Sequence, residues 1–378
     1  MDRTGSPILE RHASLYFPDG DIVLCAPRAN GDVLAFRIDR VYLTRSSPVF
    51  RDLLSPPSAG NMTEAFDGAP VLRLSDDAAE LANLLELLYN TVGRPCSTVS
   101  LQRLDPSAPL RAMGVLRLAT KYAMDPLRKI IMHCIQADWP QTLQEWDYLQ
   151  ASIAHARELK HAVVPSMLVD QGPAGAGAGT GVARGAYIDD SYPEPASAIR
   201  LAVEFGLPGV LPAAFYQLAI TDPSADWDEY RDVSDPAAAW EHQCALANGG
   251  RTARWGLLDR ADLMRFLRGR TKLDEWLSDV EDCLTSFLGT AECVDAFHCE
   301  RERGNCRRQF LLEGPGRTRP FDPLYATRHL LNVIPHYQLC GACARHIRSE
   351  LLRVRQEIWD EIPTMFNLPM AIPSSAVP

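Results

Sequence analysis

The sequence predicts an α+β protein: a small sheet surrounded by helices over residues 16–138, then a mainly helical region. Three observations carry this prediction. Short strand-like runs crowd the stretch between Ile22 and Leu74. Apolar residues at helical spacing dominate from Leu81 onward. Turn-forming pairs such as Asn30-Gly31 and Pro56-Pro57 fall between these runs.

Ile22–Cys25 is a short apolar run that reads as a strand. Asn30-Gly31 follows, and both residues tolerate positive φ, so a hairpin is expected there. Leu34, Phe36 and Ile38 then alternate with Ala35 and Arg37, the pattern of a half-buried second arm. Ser47 can cap a helix with its hydroxyl, and Pro48 suits the first helical position because its missing N–H would find no partner there. Val49, Phe50, Leu53 and Leu54 would seat that helix, and Pro56-Pro57 stops it. Val71–Leu74 reads as a third strand. Ser75 or Asp77 caps the next helix, whose apolar face is Leu81, Leu84, Leu85 and Leu88.

A degenerate repeat follows. LRLATKYAMDPLR at 116–128 pairs with IRLAVEFGLPGVL at 199–211, matching Arg117 to Arg200, Ala119 to Ala202, Tyr122 to Phe205 and Met124 to Leu207. Each copy reads as helix, break, helix, so two helical hairpins are expected. Trp227, Trp240, Trp255 and Trp276 are the expected core anchors further on. The organisation is thus a loose N-terminus over 1–15, a folded domain over 16–138 and a helical extension over 139–288 containing a Gly/Ala-rich loop, 170–190. A cysteine-bearing helical segment over 289–366 and a tail over 367–378 complete it.

The 378 residues carry a formal net charge of −10 and are 46% hydrophobic. That composition suffices for real cores and disfavours a nucleic-acid binder. Neither a run of about 18 apolar residues nor a secretory leader is legible, so an intracellular protein, cytoplasmic or nuclear, with mostly reduced cysteines is expected.

Four stretches could carry chemistry. HCERERGNC (298–306) and CGAC (340–343) offer thiols for a metal. Zinc takes about four soft ligands in a tetrahedron. Cys340 and Cys343 have knuckle spacing, and Cys299 and Cys306 supply the other pair, with Cys293 and His298 as substitutes and His336 and His346 nearby. Four protein ligands leave no open position, so such a zinc would be structural; the alternative is a set of buried, reduced cysteines. A redox CxxC would need a βαβ frame, whereas the flanks here are helix-like. GAGAGTG (175–181) lacks the third glycine of a dinucleotide fingerprint and reads as a linker. Residues 296–360 hold eleven Arg against seven Asp plus Glu, a local net of +4. Interleaved Glu300, Glu302, Glu350 and Glu357 make a solvated helical face the preferred reading over a nucleic-acid surface. The sequence holds no GxSxG, HExxH or Walker lysine, so no enzyme is expected.

Taken together, GDIVLCA, LAFRIDRVYLTRSSPVF, SDDAAELANLLELLYN and VLRLATKYAMDPLRKIIMHCI resemble a BTB/POZ domain in type, order and spacing. Asp39 stands where that family usually has His. Including the closing LCGAC…RQEIWDEIPTMFNLP, the whole chain resembles BTB proteins numerous in mushroom-forming fungi. The resemblance implies a protein–protein interaction role: an adaptor, or a scaffold that self-associates as a homodimer. A substrate adaptor of a cullin-RING ubiquitin ligase is one such role. In cullin-recruiting members an apolar residue and a Glu two positions on lie in one loop, which Met62 and Glu64 match. A transcription-related, nucleic-acid-associated BTB protein using the Arg-rich segment is the alternative.

Overall fold

The computed structural model describes residues 8–55, 64–90, 102–170, 188–232, 234–235, 241–242, 250–285, 292–317 and 321–369. It is α+β and divides into two compact units, Met1–Asp138 and Trp139–Pro378.

The N-terminal unit begins with strand β1, Leu9–Tyr16. The expectation of a loose segment through residue 15 is corrected here. β1 lies parallel to β3, Val33–Ile38, with Leu9 opposite Val33 and Arg11 opposite Ala35. Most of its side chains are exposed, so no alternation marks it in the sequence. β2, Ile22–Pro27, forms the expected antiparallel hairpin with β3, and Gly31 takes φ +88° at the turn. Two short helices follow, α1 (Arg40–Ser46) and α2 (Pro48–Leu53). Ser47 caps α2: its hydroxyl accepts from Phe50 N at 3.0 Å and donates to the Tyr122 carbonyl at 2.5 Å. Phe50 and Leu54 are buried, but Leu53 is 38% exposed and does not help seat the helix.

β4 (Ala65–Phe66) and β5 (Ala69–Arg73) make a second hairpin, and β5 runs parallel to β2. Its turn, Asp67-Gly68, has φ of 51° and 80°, the mirror-image turn that matches strand twist. The sheet order is β1-β3-β2-β5-β4. One face gathers Val23, Cys25, Ala35, Ala69 and Val71, with Tyr16, Val33 and Phe66 packed around them. Asp77 caps helix α3, Ala78–Asn90, accepting from Ala79 N at 2.8 Å and Glu80 N at 3.1 Å. Leu81, Leu84, Leu85 and Leu88 of α3 are buried as expected. Helices α4 (Ala108–Lys121) and α5 (Asp125–Ala137) close the unit.

The C-terminal unit is helical. After α6 (Leu143–Asp170) come α7 (Pro195–Phe205) and α8 (Leu211–Ala219), the second copy of the repeat. Both copies break in the same way. Ala123 (φ 51°) and Gly206 (φ 71°) occupy equivalent positions, followed by backbone bonds from Met124 N to Ala119 O and from Leu207 N to Ala202 O. Helices α9 (Arg260–Thr285), α10 (Ala296–Leu312), α11 (Pro323–Val333) and α12 (Gly341–Met365) complete the unit. The tryptophan expectation is only partly met. Trp227 is buried, with the Arg231 and Arg254 guanidinium groups 3.4 and 4.4 Å from its ring centre. Trp255 and Trp276 are half-buried, and Trp240 lies outside the described residues. Trp139, Trp146 and Trp359 are buried as well, the last two with ring centres 6.0 Å apart. Among the described residues, no helix is long and apolar enough to cross a membrane.

Candidate metal centre

Two helix starts build the centre. Asp295 caps α10 by accepting from His298 N at 2.9 Å, which places Cys299 in the first turn and Cys293 just before it. Cys340 is the cap residue of α12, and Cys343 lies in its first turn. Two sulfurs thus come from helix turns and two from the segments leading into them. All four Sγ atoms lie within 4.8 Å of one another. Cys340 and Cys293 are 3.9 Å apart, and Cys340 N donates to Cys299 Sγ at 3.3 Å. A tetrahedral zinc with bonds of about 2.3 Å separates its sulfurs by about 3.8 Å, so the observed cluster is near that size.

The electrostatics divide the four. Cys299 and Cys343 are fully buried, and burial pushes both thiols up. Cys340 is held down, at about 6, because the backbone N–H groups of Cys343 and Val294 point at its sulfur. Helix N-termini favour anionic sulfur, and a tetrathiolate centre carries net negative charge. Four soft donors with no carboxylate or imidazole suit a closed, structural metal site rather than a hydrolytic one.

Cys306 does not join the other expected ligands, and this corrects the sequence reading. It sits seven residues beyond Cys299 on the continuous helix α10, about 10 Å along the axis at 1.5 Å per residue. One ion cannot bridge that gap. Cys306 is instead buried beside Tyr337, its thiol pushed up to about 11 by burial. Cys293 takes its place, giving C-x5-C with C-x2-C. Ligand spacing over a helix start, rather than along a helix, is the signal that favours Cys293. His298, His336 and His346 stand outside the cluster.

The other candidate residues fare differently. Met62 lies outside the described residues, as does most of the Gly/Ala-rich loop. Glu64 is exposed and paired with Arg73, accepting from its Nε at 2.9 Å and its terminal nitrogen at 2.5 Å; that bond holds its carboxyl below the usual range. The arginines of 296–360 are largely engaged within the chain. Arg353 bridges Glu350 and Glu357, Arg307 meets Glu281, and Arg345 lies 3.9 Å from Glu292. Buried Arg355 donates to Thr327 at 3.1 Å and to Asp147. Pairing of this kind leaves fewer guanidiniums for phosphate contacts. No family model, no curated protein and no solved structure matches this chain.

Proposed function

We propose that the chain is a non-catalytic protein-interaction protein, with an N-terminal BTB/POZ-type module and a helical C-terminal unit stapled by structural zinc. The observation that carries the interaction reading is the element order of the N-terminal unit: strand β1, a hairpin, two short helices meeting at Ser47, a second hairpin whose β5 runs parallel to β2, then three helices. That order agrees with the segments that resemble the BTB family. Such a module acts by surface recognition, its core holding loops and strand edges in place for a partner or a second copy. Affinity purification from the native cell, with sizing of the pure chain, tests this. A stoichiometric protein partner or a dimer is expected; a monomer recovered alone overturns it.

A cullin scaffold is the specific partner implied by Met62 and Glu64. Capture of a cullin by the wild-type chain, lost in the Met62→Ala, Glu64→Ala double variant, is the expected result. Equal capture by both, or by neither, removes the cullin role. For the metal, protein purified without chelators should hold about one zinc per chain. Cys343→Ala should abolish it and Cys306→Ala should leave it.

A further inference from the structure

Building on the zinc reading, we propose that the centre is also an oxidative modification site, at which a hydroperoxide joins Cys293 to Cys340 and the metal leaves. The four ligands are not equivalent. Cys299 and Cys343 are 0% exposed, whereas Cys293 and Cys340 are half-buried. An oxidant from solvent therefore meets the second pair first. Those two sulfurs are already only 3.9 Å apart. A disulfide needs about 2.05 Å, so the two sulfurs must approach by roughly 2 Å more; Cys293 precedes the α10 cap Asp295, and Cys340 is the cap residue of α12.

The chemistry balances with hydrogen peroxide as the oxidant. Metal-bound cysteine is already thiolate, the nucleophilic form. One thiolate attacks the peroxide oxygen; the O–O bond breaks, leaving a sulfenic acid and hydroxide. The second thiolate attacks that sulfur and expels another hydroxide, forming the S–S bond. Two electrons pass from the sulfurs to the peroxide, and two solvent protons convert the hydroxides to water. Cys299 and Cys343 alone cannot hold a four-coordinate ion, so zinc departs as they take up protons. The new bond spans the same two segments, so a covalent staple replaces the ionic one.

The test uses the full chain, reduced and zinc-loaded, treated with stoichiometric hydrogen peroxide. A chromophoric chelator follows zinc, and non-reducing peptide mapping identifies the linkage. Release of about one zinc per Cys293–Cys340 disulfide, reversed by a thiol reductant plus zinc, is expected. Cys283→Ser removes a half-buried thiol outside the cluster and should leave release unchanged. A Cys340–Cys343 linkage, sulfinic acid without a disulfide, or zinc retained after Cys283 is oxidised would overturn the proposal. Reduced protein without zinc refutes the metal reading instead. Mapping that same protein still decides whether Cys293 and Cys340 pair.

Discussion

Phe50 is completely buried and stacks on Tyr122, ring centres 4.2 Å apart, while the neighbouring Ser47 hydroxyl ties the turn to the Tyr122 carbonyl. Phe50→Ala should cost about 3–5 kcal/mol through the cavity it leaves, read as a fall in denaturation midpoint. Asp138 makes a different prediction. Burial raises its carboxyl to about 6, against the pull of the Leu104 N–H and of Arg103, whose Nε lies 4.0 Å from Oδ1; that oxygen accepts no hydrogen bond among the described residues. The folded state therefore disfavours the charged form. That penalty is absent below the unfolded value near 3.8 and complete above about 6. Asp138→Asn should raise the melting temperature at pH 7.5 and change little at pH 4, by parallel thermal scans. The roles of Ser47 and Phe50 were legible because capping and local spacing decide them. The fourth thiol was not, because spacing along the chain does not report which residues a helix carries away from each other.

At the scale of elements, local signals succeeded and long-range pairing did not. The Asn30-Gly31 hairpin and the α3 face follow from residues a few positions apart. β1 depends on a partner 24 residues away and buries almost nothing of its own. α1 was missed because it is short and buries only Leu43. The Asp67-Gly68 turn carried a readable signal, but its two-residue strand β4 did not. The repeat offers a paired test. Ala123 and Gly206 hold the same left-handed position, yet only one is glycine. Left-handed backbone costs a residue with a β-carbon about 1–2 kcal/mol, partly offset by glycine's greater freedom when unfolded. Gly206→Ala should therefore destabilise by about 1 kcal/mol and Ala123→Gly should be neutral or stabilising by a smaller amount, measured by urea denaturation.

At the scale of the molecule, the two units can be read apart. All seven tryptophans lie at or beyond Trp139, and so do the four clustered cysteines. On the zinc reading proposed above, a chelator should shift the tryptophan-fluorescence transition, which reports the C-terminal unit, downward by several degrees. The sequence does not show how the sheet's outer strands relate. Arg11 reaches Asp67 at 2.8 Å and the Tyr16 hydroxyl also donates to it, so side chains of the first strand grip the turn beside the last. The sheet thus behaves as a sleeve fastened by one hasp rather than as an open ribbon. Its fastening is ionic and exposed, so it holds the two outer strands of the sheet near each other while adding little to folding stability.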